Sequence, residues 1–344
     1  MAIMKNQKIA VVLFNLGGPD KPAAVKPFLI NLFSDPNIIT VPGPLRWFLA
    51  RIIAWRRTAK AQEIYAKIGG GSPIAAETEK QAAALQSELY REGFVNLHCY
   101  TAMRYWHPRV KEVVQEVKQL APDHVVLLPL YPQFSTTTTR SSLQEWRSMA
   151  LSAGLNTDTH EICCYPEQPD FITAHAAIIK NQAPDYFGPG TNRKARLLFS
   201  AHGLPQRIVD AGDPYPEHVR RTAMAIATKL GLAQNEWEIC YQSRVGPLKW
   251  LGPSTEERLK AAGQAGMPVV LVPIAFVSEH SETLVELDME YRHLAEAAGV
   301  PQYIRIAALG VQPDFVHGLS VLVQNALNCP KLCGSNNSKC LMDN

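Results

Sequence analysis

The sequence predicts an α/β fold made of two doubly wound halves, each a parallel sheet with helices on both faces. Three observations carry this. Apolar, β-branched runs alternate with helical patterns, the runs are continuously apolar, and the first half is echoed in the second. Continuous apolar strands separated by helices mark parallel sheets covered on both faces. In such sheets ligands gather outside the carboxyl ends of the strands.

Taken in order, strands are expected at Ile9–Phe14, His124–Leu130, Arg196–Ser200, Trp237–Tyr241 and Val269–Ile274. Weaker runs lie near Val95–Tyr100, Glu161–Tyr165 and Tyr303–Ala307. Helical patterns occupy Glu77–Arg91, Pro108–Leu120, Pro216–Leu230 and Ser254–Ala265. A last helix, Asp314–Leu327, puts Phe315, Leu319, Leu322 and Ala326 on one face. The expected domains are 1–155, 156–311 and a helix with a cysteine-rich tail over 312–344.

The echo is gap-free over one stretch. VVLLPLYPQFSTTTTRSSL, from Val125, aligns on VVLVPIAFVSEHSETLVEL, from Val269. IAVVLFNLGG near the start resembles KARLLFSAHG near residue 200. The copies differ in their titratable groups. Ser135, Thr136 and Thr138 stand where the second half has Glu279, His280 and Glu282, and Gly17 stands where it has His202. A structural requirement would appear in both copies, so the difference points to function.

Composition narrows the classes. The 344 residues are 47% hydrophobic and 19% charged, with a net charge of +3, as in an ordinary globular protein. No basic block implies nucleic acid. No apolar run approaches the roughly 20 residues of a membrane-spanning helix. MAIMKNQKIAVVLF leads directly into a strand pattern, so no cleavable signal is expected and cytoplasm is the default. Seven cysteines, an odd count, argue against a disulfide framework. Cys99 and Cys240 fall in apolar runs and are expected in the core.

The segment Pro273–Tyr291 carries the densest chemistry. His280 follows a strand, and Glu282, Glu286 and Glu290 recur every four residues, on one face of an α-helix. Like charges at that spacing destabilise a helix slightly, so the row suits metal capture or proton removal. A solvated helix face is the bland alternative. His202, followed by Gly203, ends another strand. Gln242, Ser243 and Arg244 sit past a third, with Trp250 on a loop beyond. Arg104 and Tyr105 offer a cation and a ring for a ligand carrying a carboxylate and a flat surface. The loops Asn15–Asp20 and Ile68–Pro73 lack the dinucleotide and P-loop fingerprints. Leu45–Arg57, rich in tryptophan and arginine, suits an anionic bilayer surface or an apolar lip over a pocket; full burial is the least favoured of its readings. Cys329, Cys333 and Cys340 resemble a metal or cluster site lacking one ligand. Adjacent Cys163 and Cys164 could supply it, but strand neighbours point to opposite faces, so one of the two is expected to ligate.

LFNLGGPD, IGGGSPI, RYWHP, LLPLYPQFSTTTT, FSAHGLP, YQSRVGPLKWLGPSTEE and PIAFVSEHSETLVELD occur in order from Phe14 to Asp288. In these the chain resembles the ferrochelatase family, which inserts Fe2+ into protoporphyrin IX to form protohaem. The resemblance implies two Rossmann-like, chelatase-like domains with a porphyrin cleft between them. It implies catalytic roles for His202, Glu282, His280 and Glu286, with His202 and Glu282 meeting the substrate Fe2+. It places Arg104, Tyr105, Trp250, Leu16 and Ser200 along the porphyrin cleft, and makes Leu45–Arg57 the apolar lip that rests on the bilayer in membrane-associated members. That implies a cytoplasmic protein peripheral to the inner membrane. The tail is similar to that of members with a 2Fe–2S cluster. Its C-x3-C and C-x6-C spacings depart from the animal pattern and leave the fourth ligand open. The competing functions are a chelatase for coproporphyrin or sirohydrochlorin and a non-catalytic haem or iron carrier on the same fold.

Overall fold

Strands that are apolar at every position can be satisfied only inside a sheet covered on both sides, and β1 (Ile9–Asn15) is buried along its whole length. The computed structural model describes residues 4–191, 194–244 and 248–333. The other strands are β2 (Leu97–Met103), β3 (His124–Pro129), β4 (Asp158–Cys164), β5 (Arg196–His202), β6 (Trp237–Gln242), β7 (Val269–Pro273), β8 (Tyr303–Arg305) and β9 (Lys331–Cys333). They form two sheets, ordered β2-β1-β3-β4-β9 and β6-β5-β7-β8, and every pairing is parallel. Each sheet starts from its first strand, adds the second on one side, and then grows on the other. That is the doubly wound plan, and it was the predicted fold class.

The chain divides into two units. One holds the residues up to Tyr165 together with those from Leu319 onward, and the other spans Pro166–Gly318. The first boundary lies later than the expected 155/156 because β4 pairs with β3, from His124↔Asp158 to Leu127↔Glu161. The expected third region, 312–344, is not separate in its described part, because β9 joins the first sheet beside β4.

The Leu45–Arg57 segment lies within a longer helix, Gly43–Ala66. Helices absent from the expectation include Val25–Phe33, Ser141–Ala153 and Pro169–Gln182. Gln168 caps the last of these, accepting from Phe171 N at 2.6 Å, with a proline opening the first turn. The echo extends to backbone conformation. After β3 the chain enters a π-helical turn at Thr136–Arg140, and after β7 another at Glu282–Glu290. A π-turn bonds i to i+5 and is wider than an α-turn. The expected α-helical face of Glu282, Glu286 and Glu290 is therefore replaced by a broader spiral.

Candidate active site

In a sheet ordered like that of the second unit, the crevice opens between its first and third strands. These are β5, which ends at His202, and β7, which leads through Ile274–Ser281 to Glu282. The two side chains meet there, with His202 Nδ1 3.2 Å from Glu282 Oε2. The contact is off the line of a well-formed hydrogen bond, since Nδ1 has no aligned acceptor. His280 lies alongside, its Nε2 4.0 Å from the same oxygen. Its Nδ1 faces Ser278 O at 3.2 Å. A carbonyl only accepts, so Nδ1 carries the proton and Nε2 is left as an acceptor. The Phe276 ring packs on both histidines, its centroid 6.2 Å from that of His202 and 4.5 Å from that of His280.

Ser243 completes the group, although the sequence marked it only as lying past a strand. Its φ of 61° is left-handed. That conformation turns both its N–H and its hydroxyl toward the carboxylates. Ser243 N donates to Glu286 Oε1 at 2.8 Å, and Oγ lies 2.5 Å from Glu286 Oε2 and 3.1 Å from Glu282 Oε2. Tyr291 OH donates to Glu286 Oε1 at 2.9 Å. Glu290, the third member of the row, is exposed.

The charges are interdependent. Burial disfavours charge on His202, but Glu282 and then Glu286 outweigh it and raise its pKa. Glu282 is held below the usual carboxylate range: burial opposes this, and His202, His280 and Ser243 overcome it. Burial, then repulsion from Glu282, raises Glu286. Burial keeps His280 below its ordinary value. The site thus holds a charged His202–Glu282 couple beside a histidine and a carboxylate that both favour neutrality.

Gly203 lets a tryptophan close on this group. A Cβ there would stand 2.9 Å from Gln242 O and 3.4 Å from the Trp250 ring. Trp250 pairs with Pro205 across a short bridge and borders a hollow of about 290 Å³ with Arg244, Leu248, Glu256, Glu286 and Tyr291. Ser200, expected along the cleft, is instead fully buried and donates to Gln242 Oε1 at 2.7 Å. It props the end of β6.

In the first unit the position equivalent to His202 is closed. Gly17 has φ 80°, and a Cβ there would lie 2.9 Å from Met103 Cβ and 3.1 Å from Trp106 N. Leu16 is partly buried and packs on the apolar cluster around Val25, Phe28 and Tyr105. Arg104 and Tyr105 do not present a free cation and ring. Asp35 Oδ2 takes Arg104 Nη2 at 2.6 Å, Tyr105 OH at 2.7 Å and Ser141 Oγ at 3.2 Å. Glu145 takes Arg104 Nη1 at 2.9 Å, and Tyr105 is 1% exposed. Nothing in the local sequence marks Asp35 as their partner. Asp35→Ala is expected to destabilise the protein by about 3–5 kcal/mol, because it leaves part of a buried guanidinium and a buried phenol unpaired. Urea unfolding of both proteins measures this; a loss under about 1 kcal/mol would show that water replaces the carboxylate.

A family model, Ferrochelatase, matches residues 8–327. The chain belongs to the ferrochelatase family. It is a chelatase-type enzyme whose substrates are a tetrapyrrole and a metal ion. The ferrochelatase of Caulobacter vibrioides is 51% identical over 344 residues, covering 97% of each chain. That of Pelagibacter ubique is 43% identical over 343 residues, covering 97% of this chain and 98% of that one. Among solved structures, SirB from Bacillus subtilis with Fe3+ superposes with a TM-score of 0.55 at 15% identity, covering 93% of this chain and 96% of that one. This last likeness shows a common chelatase-like fold.

Two features of this family member lie outside the site. At the end of β4 the register with β9 shifts between Ile162 and Cys164. The shift interrupts the strand alternation on which the expectation of a single ligating cysteine rested. The sulfurs of Cys163, Cys164 and Cys333 all lie within 4.8 Å of one another, a group able to hold a metal ion. Phe134 packs against them. Cys329, expected as a ligand, is exposed and outside this group, with Sγ 3.0 Å from Lys331 O. Cys340 lies outside the described residues. The second feature is the Gly43–Ala66 helix, which exposes Leu45, Trp47, Phe48 and Trp55, the last at 70%. Arg51 lies 3.6 Å over the Trp47 ring. Among the described residues no helix is long and apolar enough to cross a membrane.

Proposed function

We propose that the chain is a ferrochelatase that inserts Fe2+ into protoporphyrin IX and releases two protons. The observation that carries this is the imidazole–carboxylate couple, His202 and Glu282, at the carboxyl end of the second sheet. Metal insertion replaces two pyrrole N–H bonds, so the site must take up protons near neutral pH, a task suited to histidine. His202 Nδ1 faces Glu282, which leaves Nε2 to meet a pyrrole proton or Fe2+. Neutral His280 is a second acceptor within reach of Glu282.

The line from Glu282 to Glu286 suits outward proton movement. Ser243 Oγ lies within hydrogen-bond reach of both carboxylates, yet a hydroxyl has one hydrogen. The arrangement closes when Glu286 is protonated and donates to Ser243, which in turn donates to Glu282. The 2.5 Å separation of Ser243 Oγ and Glu286 Oε2 is at the short end of the hydroxyl–oxygen range. Glu286 Oε1 is already occupied by Ser243 N–H and Tyr291 O–H, so Glu286 is better placed to pass protons than to bind metal. It also borders the hollow beside Trp250, where a proton can reach water. Trp250 offers a flat apolar wall against which a macrocycle can be held.

The thiols of Cys163 and Cys164, which are buried, and of Cys333, which is half-buried, fit a 2Fe–2S cluster, which is held by four cysteine thiolates. When bound, such a cluster supplies one-electron chemistry and a cross-link between β4 and β9. The exposed face of Leu45, Trp47, Phe48 and Trp55 suits the rim of a porphyrin seat resting on an anionic bilayer. Co-sedimentation with vesicles containing phosphatidylglycerol is expected, and Trp47→Ser with Phe48→Ser should reduce it at least about fivefold, from the apolar area removed. Equal sedimentation of the variant would reject the membrane role.

The function is tested by anaerobic Fe2+ insertion into protoporphyrin IX, followed by visible absorption, with coproporphyrin and sirohydrochlorin in parallel. Protoporphyrin IX is expected to be the fastest acceptor. Faster insertion into either rival would change the substrate, and binding without insertion would make the chain a carrier.

A further inference from the structure

We propose that Arg305 is a positioning residue for metal insertion: its guanidinium ties Glu279 to Asp288 and so fixes the segment between them, which carries His280, Glu282 and Glu286. The inference rests on the chelatase reading above and adds a residue that acts through others. β8 lies at the edge of the second sheet and pairs with β7 from Val269↔Tyr303 to Leu271↔Arg305. Tyr303 and Arg305 are two apart, so both side chains leave the same face of the sheet. Both end on the active-site segment. Tyr303 OH donates to Leu287 O at 2.6 Å. Arg305 Nη2 donates to Asp288 Oδ2 at 3.2 Å, and Nη1 to Glu279 Oε1 at 2.5 Å. Ala308 N donates to the same Glu279 oxygen at 2.9 Å.

Arg305 thus closes an arch. Glu279 comes just before His280, and Asp288 comes just after Glu286 and Leu287 in the π-helical turn. Inside the arch, His280 is fastened to the turn by Thr283, whose hydroxyl accepts from His280 N at 2.9 Å and donates to His280 O at 3.0 Å. A shift of the arch would carry His280, Glu282 and Glu286 together, away from His202 on β5 and Ser243 beyond β6. A guanidinium suits the task, because its planar fork can serve two carboxylates through two nitrogens, whereas an ammonium is a single point. The Arg305 side chain is 8% exposed. Burial opposes its charge, and Glu279 and Asp288 outweigh burial.

The first unit builds the same turn without this bridge. The echo continues into the strand register, where Leu127↔Glu161 in the first sheet answers Leu271↔Arg305 in the second. The three members of the bridge are there Ser135, Gln144 and Glu161, with no cation among them. Glu161 instead takes Arg147 from the helix Ser141–Ala153, with Arg147 Nε at 2.7 Å. The π-helical turn at Thr136–Arg140 forms all the same. A bridge that served only to shape the turn would recur in both copies. It is found where the turn carries the histidine and the carboxylates.

The test uses the full chain and anaerobic Fe2+ insertion into protoporphyrin IX. Arg305→Met is expected to lower kcat by about 10²-fold, the scale of an ångström's misplacement, with KM for the porphyrin within about twofold. Arg305→Lys keeps the charge without the fork and should lose about tenfold or more. Arg292 also bonds Asp288, at 2.7 Å, with its own side chain 43% exposed. It stands outside the bridge, so Arg292→Ala should keep kcat within about twofold. Adding Glu279→Gln to Arg305→Met should cost little beyond Arg305→Met alone, because the two residues act as one unit. Wild-type kcat in Arg305→Met or Arg305→Lys, or losses that simply add, would overturn the proposal, even where the melting temperature falls. Should Arg305→Met fail to fold, Asp288→Asn loosens one end of the arch and is expected to lower kcat at unchanged KM; wild-type kcat there would overturn the proposal as well. Amide hydrogen exchange reads the bridge without turnover. In the variants the Ser278–Glu290 amides should exchange about tenfold faster or more, with β5 unchanged, and equal exchange would reject the bridge. A wild-type protein that inserts no metal would instead overturn the proposed function.

Discussion

His202→Ala is expected to lose metal insertion by about 10³-fold or more in kcat, while protoporphyrin binding changes little. A positioned acid–base group is worth roughly 10²–10⁴-fold, and in the proposed mechanism His202 also meets the metal. The strand that presents it does not depend on it. β5 is held by six register pairs with β6 and five with β7, and the His202 side chain is 38% exposed. Loss of activity should therefore come without loss of fold. Porphyrin fluorescence quenching and an anaerobic insertion assay read the two properties separately. Turnover within tenfold of wild type would remove His202 from the chemistry. Weakened porphyrin binding at unchanged kcat would make it a binding residue.

Glu282→Gln should lower kcat by about 10²-fold or more and also change how the rate depends on pH. Glu282 raises the His202 pKa against the opposing effect of burial. In wild type, insertion should rise with pH through a midpoint above the ordinary histidine value of about 6.5, as the imidazole becomes neutral. Without the carboxylate, burial dominates and the midpoint should fall. The couple's effect on stability has a defined window. The lowered Glu282 carboxyl contributes stability above the ordinary carboxylate pKa, lost as pH falls through its folded value. The raised His202 contributes fully below the unfolded histidine value, and that is lost as pH rises through its folded value. Both act together only between those limits. A kcat–pH profile for each protein is the measurement. An unmoved midpoint, or a change in KM alone, would count against Glu282 as the partner of His202.

The sequence made the sheets legible because their strands are apolar without interruption. β1, β3, β5, β6 and β7 begin at the expected residues and end within two of the expected limits. The ends of His202 and Glu282 were legible for the same reason, since each follows such a run. Other features left no local trace. Asp35 lies between helices far from Arg104 in the chain, so its claim on that guanidinium exists only after folding. Ser243 looked like an ordinary loop residue because its role depends on a backbone angle. The row of glutamates suggested an α-helix, because periodicity does not distinguish a π-turn that occurs in so few residues. Cys163 and Cys164 were expected to face apart, as in a regular strand, and a slip in register accompanies the gathering of their sulfurs.

Ser243 also says something about what the fold gives up. A residue with a side chain in left-handed backbone costs about 1 kcal/mol or more relative to glycine, which adopts it freely. Selection for folding alone would favour glycine there. The hydroxyl between Glu282 and Glu286 is thus obtained against the stability gradient. The protein is less stable than its topology permits at the position where it gathers two carboxylates around one hydrogen.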